Sequence, residues 1–127
     1  MCLITESKTP SISEYNISCY KILIPMGGEY ITPYRDFPFS IGKVTTDLID
    51  ADPLELFDHY IIEEGYFHSY KNIKAAKHVL DELKRQLPKD RVPKIFEAQI
   101  PEGTPFFEGQ FGDIGSKSLL VIKEYID

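Results

Sequence analysis

The stretch Glu64-Gly65-Tyr66-Phe67-His68-Ser69-Tyr70 decides how this chain folds, because it joins two unlike halves and carries the densest aromatic and polar side chains. Gly65 can close whatever precedes it, and Tyr66–Tyr70 reads as a β-strand. Immediately afterwards the clearest helix begins. Asn72 is a good N-cap, and Ile73, Ala76, Leu80, Leu83 and Leu87 recur at alternating spacings of three and four, so one buried stripe is predicted over residues 73–87. Lys84 and Arg85 suit the negative end of the helix dipole, and Pro88 stops propagation.

Working back from that junction, Asp52-Pro53-Leu54-Glu55 combines an N-cap residue, a proline at the first helical position and an acidic first turn. With Leu54, Phe57 and Ile61 at helical spacing it predicts a short helix, although the β-branched pair Ile61-Ile62 weakens it. Phe39 to Val44 is expected to add a short strand. Thr32-Pro33-Tyr34-Arg35-Asp36-Phe37-Pro38-Phe39 has two prolines and three aromatic residues and reads as an extended loop pinned by its rings. Tyr15 to Pro25 is rich in β-formers with apolar residues on both faces, as in a central strand, and the Met26-Gly27-Gly28-Glu29 turn would pair it with Glu29–Thr32. Residues 1 to 14 show no period and are expected to form a surface arm.

Beyond the helix, Phe96, Ala98 and Ile100 alternate with Ile95, Glu97 and Gln99 as a strand does. Pro101-Glu102-Gly103-Thr104 turns the chain, Pro105–Gly109 makes a second short strand, Gly112-Asp113-Ile114-Gly115 turns again, and Ser118–Ile126 returns. The expected architecture is a single α+β domain over residues 1–127, a mostly antiparallel sheet with one principal helix and a C-terminal β-meander.

Composition narrows the function. The 127 residues are 43% hydrophobic and 27% charged, with eight Tyr, eight Phe and no Trp. These fractions are ordinary for a folded protein. A net charge of −6 opposes attraction to phosphate backbones and anionic membranes, so neither nucleic acid nor membrane is the expected partner. No signal peptide or spanning segment is visible, and the cytoplasm is the simplest compartment. Cys2 and Cys19 are too few for a disulfide framework or a cysteine-based zinc site.

His68 is the first candidate for chemistry, since an imidazole at a strand end can exchange protons or bind a ligand near neutral pH; the plainer alternative is a partly buried ring bonded to backbone. His59 and His78 lie elsewhere and complete no metal motif. Cys2 would become an N-terminal thiol if Met1 were removed, but a hydrophobe anchoring the arm is the stronger reading. Glu108, before Gly109, could enter a shared cleft, with Glu63, Glu64 and Glu97 as further carboxylates. Gly27-Gly28 lacks the spacing of a phosphate loop, and Gly109, Gly112 and Gly115 read as turn glycines, so no cofactor is expected.

Several stretches together resemble a group of small, uncharacterised proteins of gut bacteria and their phages: Met1-Cys2-Leu3, Cys19-Tyr20-Lys21 with Thr32-Pro33-Tyr34, and Gly65 to Tyr70. Ile100-Pro101-Glu102-Gly103, Phe107-Glu108-Gly109 and Ser116-Lys117-Ser118-Leu119 fit the same pattern. Here Tyr66 stands between Gly65 and Phe67, where Gly-Phe-His-Ser is more usual, which lengthens the loop by one residue. The chain is more distantly similar to ADP-ribosyltransferase-like domains. That resemblance implies that Tyr20 and Lys21 face a nicotinamide nucleotide, that Ser69 and Tyr70 support it, and that Glu108 is the catalytic carboxylate. The early strand lacks the usual arginine or histidine, and no Glu-x-Glu lies near Glu108.

The expected function is a non-enzymatic binding or protein-interaction domain of bacterial or phage origin, with Tyr20, Lys21, Tyr34, His68, Ser69 and Tyr70 meeting a protein or small-molecule ligand. A pocket bordered by Tyr20, Tyr34, His68 and Glu108 is anticipated. The alternative is a nucleotide-acting enzyme using His68 and Glu108.

Overall fold

The computed structural model describes residues 3–126, with the side chain of Leu56 excepted. Both readings of Cys2, as nucleophile or anchor, lie outside the described residues. The elements in chain order are β1 (Leu3–Thr5), β2 (Ser11–Ile12), β3 (Ile17–Met26), β4 (Glu29–Ile31), β5 (Pro38–Phe39), β6 (Val44–Thr46), β7 (Leu54–Leu56), β8 (His59–Ile62), β9 (Phe67–Tyr70), α1 (Ile73–Gln86), β10 (Lys94–Ile100), β11 (Pro105–Glu108), β12 (Asp113–Ser116) and β13 (Ser118–Glu124).

The main sheet runs β2-β11-β12-β9-β3-β10-β13-β6, and its pairings are antiparallel. The central β3 pairs with β10 from Ile17 through Leu23, and its last residues pair with β4. Alternation along β3 supplies two cores. Cys19 and Leu23 join Phe67, Phe96, Ala98 and Val121 on one face, covered by Phe37 and Phe39, while Ile22 joins Tyr70 and Ile95 under α1 on the other. Asn72 Oδ1 accepts from Ala75 N at 2.8 Å and caps the helix. Ala76 and Leu83 are buried, and Ile73, Leu80 and Leu87 pack partly beside them, along the expected stripe. The mostly antiparallel sheet and single helix agree with the α+β reading.

Several local expectations are corrected. The short helix after Asp52 is a β-hairpin: β7 pairs β8, with Leu54 opposite Ile61 and a turn at Phe57-Asp58. The helical stripe fails because Leu54 and Phe57 are exposed, whereas Ile62 alternates inward against Leu3. The N-terminal arm is not merely a surface segment, since β1 pairs β8, β2 pairs β11, and Leu3 is wholly buried with Phe107. Phe39 and Val44 fall in separate strands, split by a turn through Gly42.

The C-terminal β-meander is corrected too. Among β10 to β13 only β11 and β12 pair as neighbours in sequence; β10 pairs β13, while β9 and β3 stand between β12 and β10. Of the turn expected at Gly112-Asp113-Ile114-Gly115, the last three residues belong instead to β12, the strand that pairs β9. Glycine at position 115 suits this interior location, because a Cβ there would lie 3.4 Å from both Leu3 Cδ1 and Tyr66 Cβ. Among the described residues no helix is long and apolar enough to cross a membrane.

Candidate functional site

Tyr20 opposite Tyr70 is the sole register pair between β3 and β9, whereas β3 is fully laddered to β10 on its other side. Beyond that pair, both strands line a cavity of about 430 Å³. Lys21 and Ile22 come from β3, and Phe67, His68 and Tyr70 from β9. Leu83 of α1 and Phe37 extend the apolar lining. This concave, mainly apolar space with a few converging polar groups has the character of a small-molecule site.

Lys21 supplies its most unusual group. The side chain is only 6% exposed, and Nζ donates to the backbone oxygen of His68 at 2.5 Å, capping a carbonyl at the seam where the β3–β9 ladder has stopped. The ammonium also lies 5.6 Å from the Phe39 ring centroid. No carboxylate pairs with it among the described residues. Burial pushes its pKa down to about 8; Cys19 opposes that shift and the Arg35 charge adds to it. His68 answers the same field. Burial, then the charges of Lys21 and Arg35, lowers its pKa to about 3, so the ring is neutral at physiological pH. His68 Nε2 is buried without a hydrogen-bond partner.

Two loops build the remaining walls. In the first, Thr32 N donates to Phe37 O and Phe37 N to Thr32 Oγ1, closing the segment that carries Tyr34 and Arg35. Asp36 takes a left-handed φ of 53° and pairs with Arg91 at 3.0 Å. Tyr34 donates its hydroxyl to Gln86 Oε1 at 3.0 Å, tying this rim to α1, and Arg35 Nη2 donates to Glu63 O at 2.6 Å. In the second loop, Asp47 N donates to Lys117 O, and Asp47 Oδ1 accepts from Ile49 N at 3.0 Å. Lys117 Nζ donates to the carbonyls of Ile49 and Gly65, holding that loop against the start of β9. Leu48 lines the cavity yet is 90% exposed, an apolar rim beside the opening.

The structure brings together Lys21, Tyr34, His68 and Tyr70. The Tyr70 phenol is raised well above its ordinary pKa, by burial first and then by Asp113 and Tyr34. Tyr20 does not border the cavity; it packs with α1's cluster and stacks edge-on against Tyr125 at 5.7 Å. Ser69 is fully buried on the opposite face of β9, beside Cys19, whose thiol burial pushes up to about 11. Glu108 lies elsewhere, ion-paired with Lys71 at 2.9 Å in a second, polar groove lined also by Thr5, Ser7 and Ser11. His68 and Glu108 thus line different cavities, contrary to the anticipated common pocket. Arg35, Leu48, Ile49 and Lys117 were missed. Arg35 had a signal, as the one cation in the ring-pinned loop, whereas the Asp47–Ile49 wall depends on a contact to Lys117 far along the chain.

Among the described residues no group of three or more His, Cys, Asp or Glu is arranged to hold a metal ion. Comparison with protein-family models, curated proteins and solved structures finds no match.

Proposed function

We propose that this chain is a binding domain for a small molecule with an apolar, preferably aromatic, body and an anionic head. The carrying observation is the buried Lys21 ammonium facing an apolar cavity with a single backbone carbonyl as its oxygen acceptor. A buried cation of this kind is costly unless compensated. A ligand carboxylate supplies the missing compensation, with Arg35 at the same end, while Phe37, Phe67 and Leu83 take the body. Leu48 at the rim is covered on binding. A protein partner is less well supported, because the polar groups converge inward.

The nucleotide-enzyme reading required His68 and Glu108 in one cleft. It loses its geometric argument with Glu108 held by Lys71 in the second groove.

A matched probe series tests the proposal: 3-phenylpropionate, its neutral alcohol analogue and its amine analogue, titrated while amide and methyl resonances are followed. Saturable shifts at Tyr34, Leu48, Ile49 and His68 with the carboxylate, lost in Arg35→Gln, are expected. Equal responses to all three, or shifts confined to other surfaces, would overturn the choice of an anionic ligand at this site.

A further inference from the structure

The cavity's polar end holds a combination that ion binding alone does not use: a primary amine withdrawn from water, beside a neutral imidazole. Lys21 lines the cavity, and its Nζ is held in place by the bond to His68 O. His68 lines the same space, and its Nε2 is buried without a protein partner. A desolvated lysine close to another cation is a recognised arrangement for an amine nucleophile, and Arg35 is that cation here. Arg35 also offers a guanidinium for a carboxylate next to a reacting carbon.

From this geometry we infer that Lys21 is an amine nucleophile and that the ligand class is an apolar 2-oxo acid, or a related carbonyl compound with an adjacent anion, held reversibly as a Schiff base. This deepens the small-molecule reading and rests on it. In the step, the lone pair of neutral Nζ attacks the carbonyl carbon while the C=O π pair moves to oxygen. Nitrogen gives up a proton and the oxygen gains one, forming a carbinolamine. The hydroxyl then leaves as water, taking nitrogen's second proton while the nitrogen lone pair forms the C=N bond, so amine plus carbonyl gives imine plus one water without any oxidant or reductant.

Burial makes the amine available. With a pKa near 8, about a tenth of Lys21 is unprotonated at pH 7, against about one part in three thousand for an ordinary lysine at 10.5. The apolar walls also disfavour the water needed to reverse the reaction.

The test uses phenylpyruvate and 3-phenylpropionate, which differ only in the carbonyl. The wild-type chain is incubated with phenylpyruvate, reduced with borohydride and mapped by peptide mass spectrometry, while 3-phenylpropionate binding is measured separately by calorimetry. Reductive trapping adds the mass of the probe less one oxygen. Expected is an adduct at Lys21 exceeding those at the exposed Lys74 and Lys84 by about tenfold or more, and suppressed by excess 3-phenylpropionate. Binding of 3-phenylpropionate with no preferred Lys21 adduct overturns the Schiff-base inference and leaves the cavity reading standing. Neither binding nor adduct overturns both. Lys21→Arg, which keeps a cation at the seam and removes the primary amine, should lose trapping. Should that variant fail to fold, the wild-type peptide map still decides.

Discussion

The neutral His68 ring makes the stability of this protein depend on pH in a way that one substitution removes. In the folded chain the group titrates at about 3, against 6.5 when unperturbed. Between those values the unfolded chain binds a proton that the folded chain refuses, so stability rises with pH. The contribution is complete above 6.5 and is lost as pH falls towards 3. A gap of about 3.5 units at roughly 1.4 kcal/mol each makes the total on the order of 5 kcal/mol, a large part of an ordinary domain's stability. At pH 4.5 about 3 kcal/mol of it has gone.

His68→Phe keeps a flat ring and removes the titration. At pH 7 its stability is expected within about 1 kcal/mol of wild type, since Nε2 makes no hydrogen bond to lose. At pH 4.5 the variant should be the more stable by about 3 kcal/mol, a shift of roughly 1–3 M in the urea midpoint at ordinary slopes. Urea unfolding of both proteins at pH 7, 6, 5 and 4.5, followed by circular dichroism, reads this directly. Carboxylates titrate alike in the two chains and cancel in the comparison. Parallel loss of stability in both, with no widening gap below pH 6.5, would refute the claim that His68 is held neutral by the cavity.

The same unfolding assay checks two points of packing. Leu83→Ala should cost about 2–5 kcal/mol, because Leu83 is 2% exposed between α1 and β3, whereas Lys84→Ala on the solvent face should stay within about 0.5 kcal/mol; equal midpoints would sink the stripe. Gly65→Ala should cost more than Gly42→Ala: both sites have positive φ, 87° and 81°, but only at Gly65 would the new Cβ meet a backbone oxygen, Ile49 O at 2.9 Å. Equal losses would show that the Ile49 wall yields freely.

The parts of the fold legible in the sequence are those fixed locally. The helix carried a cap, a stripe and a proline stop within one segment. The β3–β4 turn carried paired glycines, and both Gly27 and Gly28 take positive φ. The hairpin at residues 54–62 was hidden because its helix signals, Asp52-Pro53 and the spacing of Leu54, Phe57 and Ile61, are local, while the burial that overrules them comes from Leu3 in β1. Strand order was hidden for a similar reason. Asp113–Ser116 looks like a glycine turn until β9 and β11 lie on either side of it. Of the cavity's lining, His68 drew notice as an imidazole at a strand end, whereas Lys21 entered only through the resemblance to ADP-ribosyltransferase-like domains. Glu108 was misplaced because sequence proximity to a glycine says nothing about which cavity a strand end faces.

The cavity and the thinnest joint of the main sheet occupy the same place, and Lys21 explains how both persist. A strand carbonyl deprived of its ladder partner is costly when buried. Nζ of Lys21 satisfies His68 O across the seam, so the cation is retained by the fold before any ligand is considered. Its cost as a buried charge is then offset in part by that carbonyl and by the Phe39 ring. Replacing Lys21 with an apolar residue therefore does two things together, removing charge from the cavity and orphaning a backbone acceptor in the sheet. Arg35 differs, because it enters from the loop between β4 and β5 and bonds Glu63 O outside the β3–β9 seam. For that reason the charge requirement of the site is separable from the integrity of the sheet at Arg35, while at Lys21 a replacement must keep a side-chain donor to satisfy His68 O, and only a cationic one keeps the charge as well.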